Sequence, residues 1–414
     1  MYAFGPVPSR RLGRSIGVSP IPFKVCSYAC IYCQLGKTRT LQVHRQPFFV
    51  RDDILTDTAK VVSTETADVI TFVGDGEPTL NSDLGWLIKK SKVEFGLPVA
   101  VITNGSLLFQ PDVQADLLAA DIVIPTLDAG NPTIFKQINR PHRAIDFYKM
   151  VNGLLEFRRQ FAGKFWLEVM LVQNVNDSDD QLSELRAVVS DIQPDRIFVM
   201  TPIRPPVEKW VKCPKPVRVK AAEQVLSNAI PLTERENGDF GVTEFSDASQ
   251  AIMEISGRHP LRLEQAQAIA VRFGEPDVIE KLLESKKIRL SRYHAIDFVH
   301  PQIDWSVSGQ KKSFTPDITI RQTQCCVYQV EVKWPDRERH LRVVLADGYY
   351  NRLSMGLVNQ EQLLESCFTY FVDHDLLDQL DDRFHLKDIG QRYPEYENDI
   401  RALISRKRRE RNGS

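Results

Sequence analysis

The chain has 414 residues, with 53 Lys+Arg against 54 Asp+Glu for a net charge of -1, and 43% of its residues are hydrophobic. At about three times the usual domain size it calls for two or three domains, and its composition excludes general disorder, a collagen-like repeat and a disulfide scaffold. Seven cysteines are too few, and too odd in number, for a secreted disulfide framework, so a reducing compartment fits them better.

The opening stretch, MYAFGPVPSRRLGRSIGVSPIPF, holds four prolines and no continuous apolar run, so no export signal is read there. The longest apolar runs elsewhere, such as 165–172, fall far short of the roughly 20 residues needed to cross a bilayer. A cytoplasmic protein with no membrane partner is expected. A first strand is read over 15–21, and β-rich runs follow at 68–73, 98–103, 121–127, 165–172 and 195–201. Amphipathic stretches at 82–95, 110–120, 143–162 and 178–191 separate them, with Asn81, Ser82, Asp177 and Ser178 as cap candidates. Strands apolar on both faces that alternate with helices imply a parallel sheet. About six such units predict an α/β fold built as a partial (β/α)6 barrel, with an open doubly wound sheet as the alternative.

Five prolines in 202–218 and a polar turn at 234–241 mark the end of a first domain, residues 1–240. Residues 241–300 read as three short helices, at 247–256, 262–273 and 275–288, followed by a strand pair at 289–300, which is the winged-helix order. Residues 301–414 open with β-like runs at 314–320 and 327–334, turn helical over 360–380 and end in a basic stretch at 406–412, so an α+β domain is expected there. Cys325 and Cys326 are adjacent and read as strand residues.

Cys26, Cys30 and Cys33 form C-x3-C-x2-C just after the first expected strand. Three thiolates so spaced can hold three irons of a cubane cluster and leave the fourth iron open to a ligand. The competing readings are a zinc site completed by His44 and a trio of ordinary cysteines; structural zinc more often uses separated C-x2-C pairs or Cys2His2 sets. The run Gly74-Asp75-Gly76-Glu77-Pro78 ends the strand at 68–73. Its glycines let the backbone approach a ligand closely, and Pro78 leaves Glu77 extended.

The segment GPVPSRRLGRSIGVSPIPFKVCSYACIYCQLGKT, with Tyr32 before the third cysteine and VGDGEPTL at 73–80, resembles the radical S-adenosylmethionine (SAM) superfamily. The likeness is to the subgroup related to the tRNA wyosine-forming enzymes and covers about residues 1–300. It implies a [4Fe-4S] cluster on Cys26, Cys30 and Cys33, with SAM as cofactor. It implies reductive cleavage of SAM to methionine and a 5'-deoxyadenosyl radical, with the electron supplied by a flavodoxin- or ferredoxin-type donor. By the same likeness Gly74, Asp75, Gly76, Glu77 and Pro78 lie against the methionyl part of the cofactor. Tyr32, Thr103, Asn104, Asp128 and Asn174 are further candidate contacts, the last four at the carboxyl ends of expected strands, where barrel enzymes build their sites. No cysteine precedes Cys26, so the upstream cysteines that hold a second cluster in the wyosine-forming enzymes are absent and their reaction is not implied.

Residues 1–51 carry Arg10, Arg11, Arg14, Lys24, Lys37, Arg39, Arg45 and Arg51 and no Asp or Glu. This predicts a positive field around the cysteine loop and an anionic substrate, RNA first. The segment 139–143 (NRPHR) adds candidate phosphate contacts. The third helix of 241–300 begins with Glu275, Asp277 and Glu280, which would repel a phosphate backbone, so a docking or spacer role is expected for it. Further on, Pro316-Asp317 and Glu331-Val332-Lys333 resemble the PD-(D/E)xK nuclease pattern. There Asp317 and Glu331 would hold Mg2+ and Lys333 would orient the attacking water, with Glu331 and Lys333 on one strand face. Solvated charges on a strand pair would read the same way. The competing function class is a zinc-stabilised nucleic-acid-binding protein or nuclease without radical chemistry.

Overall fold

The computed structural model describes residues 1–227, 229–233, 238–243, 245–302, 317–333, 338–373, 377, 380–392, 396–397, 399–401 and 403–404. Pro316 and the basic stretch 406–412 lie outside the described residues. The chain divides into two units, Met1–Ile303 and Asp304–Ser414.

In the first unit the apolar runs become one sheet. β1 (Ala3–Ser9) and β2 (Gly13–Val18) pair antiparallel. From β2 onward the neighbours are parallel: β3 (Val69–Val73), β4 (Val99–Thr103), β5 (Ile122–Pro125), β6 (Lys164–Met170), β7 (Arg196–Met200) and β8 (Ile230–Leu232). Chain order equals sheet order across all eight strands, a curled half-barrel. The six expected parallel strands are present. β1 was not anticipated, because its prolines argue against a strand; it lies at the sheet edge, where a missing N–H is tolerated.

Helices α1 (Arg51–Thr64), α2 (Leu84–Phe95), α3 (Pro111–Leu117), α4 (Pro132–Ile138), α5 (Phe147–Gln160), α6 (Asp179–Ile192) and α7 (Pro216–Val225) follow the strands. Ser178 caps α6 by accepting from Gln181 N–H, as expected. Asn81 instead holds a turn, donating from Nδ2 to Pro20 O at 2.6 Å. Alternate strand residues serve two cores, which is why the strands read as continuous apolar runs. Val99, Val101, Phe165, Leu167 and Val169 pack with Leu87, Leu154 and Leu185 of the helices. Ala100, Ile122, Ile124, Trp166 and Phe198 form a separate cluster with Leu12 and Leu232 on the other face.

The three helices and strand pair expected over 247–300 are also present, as α8 (Ala248–Arg258), α9 (Leu263–Arg272), α10 (Val278–Glu284), β10 (Ile288–Tyr293) and β11 (Ile296–Pro301). A two-residue strand, β9 (Leu261–Arg262), pairs with β11 and gives the order β9-β11-β10. This segment belongs to the first unit.

The second unit is built on β12 (Asp317–Gln324), β13 (Val327–Lys333) and β14 (Glu338–Val344), all antiparallel, with β15 (Arg383–His385) added parallel to β14. Tyr328, Val330, Val332, Leu341 and Val343 pack against Leu363, Leu364, Phe368 and Phe371 of α11 (Gln360–Asp373). Cys325 and Cys326 are the turn between β12 and β13 rather than strand residues, with Cys326 at φ 60. No helix among the described residues is long and apolar enough to cross a membrane.

Phe157 of α5 is fully buried and stacks on Phe161 with ring centroids 4.9 Å apart. Phe157→Ala leaves a cavity between helix and sheet and is expected to destabilise the fold by about 3–5 kcal/mol, measured by urea denaturation.

Candidate active site

The cysteine loop follows β2 and lies directly against the turn after β3. Lys24 N–H donates to Asp75 O at 2.7 Å, and Glu77 N–H donates to Val25 O at 3.1 Å. Such an approach requires glycine: a Cβ on Gly76 would stand 1.8 Å from Val25 O. Glu77 locks the turn to the end of the next strand. Its carboxylate, 1% exposed, accepts from Thr79 N–H (3.0 Å), Thr79 Oγ1 (2.7 Å), Thr103 Oγ1 (2.6 Å) and Asn104 N–H (2.7 Å). Burial pushes its pKa up, and those hydrogen bonds pull the other way.

Each cysteine sulfur has a nitrogen donor from a different segment. Lys24 Nζ lies 3.0 Å from Cys33 Sγ, Asn104 Nδ2 lies 3.6 Å from Cys26 Sγ, and Asn139 Nδ2 lies 3.6 Å from Cys30 Sγ. Lys24 is itself buried, at 3% exposure, with its backbone in the left-handed region at φ 62. Burying an amine donor on a sulfur is favourable when that sulfur carries negative charge. Burial, with Glu77 nearby, pushes the Cys26 thiol up to about 12, and burial likewise raises Cys30. As thiols these groups therefore hold their protons; a bound metal displaces them.

The triad fits a cluster better than a single ion. Tetrahedral zinc with Zn–S bonds of about 2.3 Å draws its sulfurs to within about 3.8 Å of one another. The Cys26, Cys30 and Cys33 sulfurs do not all lie within 4.8 Å of one another, and His44 does not complete such a group. Thiolates on three separate irons of a cubane stand farther apart, and donors to the sulfurs are among the features that set a cluster's potential.

Asp128 forms a second buried clamp. It accepts from Tyr32 OH at 2.5 Å, Asn139 Nδ2 at 2.6 Å and Met170 N–H at 2.8 Å, and burial raises its pKa to about 6. Two expected cofactor contacts, Tyr32 and Asp128, are thus bonded to each other. Asn139, expected to face phosphate, turns inward onto Cys30 and Asp128, while Arg140 pairs with Glu208 at 2.5 Å.

A cavity of about 390 Å³ opens on this assembly. Its lining includes Cys26, Cys33, Tyr32, Gly74 and Gly76, and an apolar stretch of Ile102, Met170 and Met200 from the ends of β4, β6 and β7. Asp75, Glu77, Pro78, Thr103, Asn104 and Asp128 are not part of that lining; Asp75 meets Arg258 of α8 at 3.4 Å, and Pro78 opens a short 3-10 turn, Pro78–Leu80. Asn174 is not brought to the cavity. It is exposed at φ 59, with its N–H on Asp177 Oδ1, whereas the buried neighbour Asn176 bonds to Asp128 O and Met170 O.

The expected basic field is redistributed. Arg11 pairs with Glu168, Arg14 with Glu65, Arg45 with Asp112 and Asp116, and Arg51 with Asp83, all acids from elsewhere in the chain. The cavity lining nevertheless holds Arg10, Arg11, Lys24, Arg204, Arg258 and His259, and no Asp or Glu among its described residues. Arg204, Arg258 and His259 were not found from the sequence. The prolines around Arg204 read as a linker, and the other two close a helix whose pattern signals only packing.

In the second unit Glu331 and Lys333 share the outward face of β13, with Lys333 Nζ 2.7 Å from Glu331 Oε1, and Asp317 is the register partner of Lys333. Glu331, Glu338 and His340 bring ligand atoms within 4.8 Å of one another. Lys24→Met removes a positive donor from Cys33, so the midpoint potential of the reconstituted protein is expected to move to a more negative value, measured by EPR-monitored redox titration, with iron content as the check on loading.

Residues 21–185 match the Radical SAM superfamily. The UPF0026 protein MJ1312 of Methanocaldococcus jannaschii is 33% identical over 302 residues, covering 70% of this chain and 92% of that protein. A protein of Brachyspira hyodysenteriae named GTPase Obg is 38% identical over 301 residues, 69% of this chain, and the chain spans 43% of its length. Among solved structures, TYW1 with a lysine-pyruvate adduct bound matches 52% of this chain and 74% of its own at 15% identity, with a TM-score of 0.39. By its likeness over nearly the whole length of MJ1312, the chain belongs to the UPF0026 protein family, and it carries a radical SAM superfamily domain.

Proposed function

We propose that this chain is a radical SAM iron–sulfur enzyme that modifies RNA. The observation that carries the reading is one cavity in which the cysteine loop, the Gly74 and Gly76 turn and a cationic wall without carboxylates meet. When bound, a [4Fe-4S] cluster and SAM together supply one-electron cleavage of a carbon–sulfur bond, and with it a radical able to take hydrogen from a substrate carbon.

The chain's own residues have separate tasks. Cys26, Cys30 and Cys33 would hold three irons, with Lys24, Asn104 and Asn139 donating to their sulfurs. Gly76 lets its turn close on Val25 of the cysteine loop, both glycines present backbone to the cavity where the cofactor would lie, and Glu77 and Asp128 hold the surrounding segments. Ile102, Met170 and Met200 keep the reacting region apolar, which excludes water from a reactive species. The arginines favour a polyanion, and the reading requires a one-electron donor of flavodoxin or ferredoxin type as partner.

After anaerobic reconstitution with iron and sulfide, the protein is expected to convert SAM to methionine and 5'-deoxyadenosine on addition of a reductant. Cys30→Ala is expected to abolish that turnover and the cluster absorbance. A colourless protein carrying one zinc, unchanged by Cys30→Ala, would return the chain to the zinc-stabilised class.

A second activity is favoured in the unit Asp304–Ser414 by the pairing of Asp317 with the Glu331–Lys333 face. We propose that Asp317 and Glu331 bind Mg2+ and that Lys333 orients a water that attacks a phosphodiester of nucleic acid. Labelled DNA is expected to be cleaved with Mg2+ and to survive with Lys333→Ala; equal cleavage by that variant would remove the assignment.

A further inference from the structure

Of the four guanidinium groups that line the cavity, Arg10, Arg11 and Arg204 act on one another through their charge. Arg10 and Arg11 come from the turn between β1 and β2, and Arg204 from the proline-rich segment after β7; all three line the cavity together with His259, which follows α8. Holding such groups close together is unfavourable. Burial first, and then the charges of Arg10 and Arg204, hold the Arg11 pKa below the ordinary guanidinium value.

Arg11 also leaves a polar atom unsatisfied. Its Nη1 bonds the Glu168 carboxylate, but its Nε is buried with no hydrogen-bond partner. A buried donor without an acceptor costs about 1–3 kcal/mol; Nε is sealed here, and a ligand oxygen reaches it once the Arg11 side chain shifts toward the cavity that it lines. Arg204 is braced from two sides, with Nη1 donating to Gln34 Oε1 at 3.2 Å and Nη2 lying 2.7 Å from His259 Nε2. The neighbour of His259, Arg258, holds the end of α8 in place: its Nη2 donates to Met1 O at 2.9 Å and its Nε meets Asp75 Oδ2 at 3.4 Å.

We propose that Arg11, Arg204 and His259 form an anion subsite that takes a phosphate group of the substrate. The assignment deepens the RNA reading above and rests on it. The guanidinium fork suits a phosphate because it offers parallel donors to two oxygens, and the missing acceptor at Arg11 Nε sits beside the same charges. The end of α8, from the segment that reads as a winged helix, thereby becomes a wall of the radical cavity rather than a distant platform. A carboxylate of SAM is the other source of the same chemistry, and the measurements separate the two.

Inorganic pyrophosphate is titrated calorimetrically into the reconstituted full chain, and SAM affinity is measured in parallel by equilibrium dialysis. Arg204→Gln, and Arg11→Lys, which keeps a charge for Glu168 but removes Nε, are each expected to weaken pyrophosphate binding about tenfold, the loss expected for a charge-assisted hydrogen bond. SAM affinity and the unfolding temperature are expected to stay unchanged, and bulk tRNA is expected to compete with pyrophosphate. The subsite is overturned if the wild type does not bind pyrophosphate or if both variants bind it as the wild type does. It is also overturned as a substrate site if SAM affinity falls in step with pyrophosphate affinity. If the variants lose pyrophosphate but the wild type binds no tRNA and tRNA does not compete, the subsite stands and the RNA reading falls.

Discussion

One buried carboxylate organises the cysteine-loop end of the first unit. Glu77 receives four hydrogen bonds, two from Thr79 in its own turn and two from Thr103 and Asn104 at the end of β4. A carboxylate taken out of water is costly unless its lone pairs are filled, and here they are filled by groups that must themselves be satisfied. The turn after β3 is therefore not free to move relative to β4. Through Val25 O and Asp75 O the cysteine loop is bound to that same turn, so three segments distant in sequence behave as one wall.

Asp128 repeats the device on the other side of the cysteines, joining Tyr32, Asn139 and the end of β6. The two acids hold segments that line the cavity, and neither lines it. The lining is left to glycine, apolar residues and cations. The anions that position the loops are held by their own donors outside the lining, and their charge still raises the Cys26 and Cys30 thiols. The sulfur donors obey the same economy, since Asn104 and Asn139 each belong to a clamp and also reach a cysteine.

Much of the fold was legible because parallel strands buried on both faces leave unbroken apolar runs, and β3 to β7 read that way. The edge strand β1 escaped notice because proline is admissible only where one side of the strand is unpaired, a condition sequence does not reveal. Of the site, the cysteine triad and the Gly74 and Gly76 turn were readable, since close backbone approach and thiolate spacing impose local patterns. Glu77, Thr103 and Asn104, read from the sequence as cofactor contacts, are joined to one another by hydrogen bonds. Asn174 was drawn in by its position after β6, yet its left-handed backbone directs it to solvent, and Asn176 takes the buried contacts.

By itself the sequence determined the patterns that local spacing can encode: the cysteine triad, the glycine turn, the alternation of strand and helix, and the placing of Glu331 and Lys333 on one strand face by the period of two. Only the tertiary structure decided where charge resides. Arg11, Arg14, Arg45 and Arg51 looked like one basic block because no acid lies within residues 1–51, but folding brings them Glu168, Glu65, Asp112, Asp116 and Asp83. The cavity lining draws its cations from Arg10, Arg11, Lys24, Arg204 and Arg258, which are separated by up to 248 residues, with Arg11 both paired to Glu168 and part of the lining. Electrostatic interactions depend on distance in space and on exclusion of water, and neither is a property of chain order.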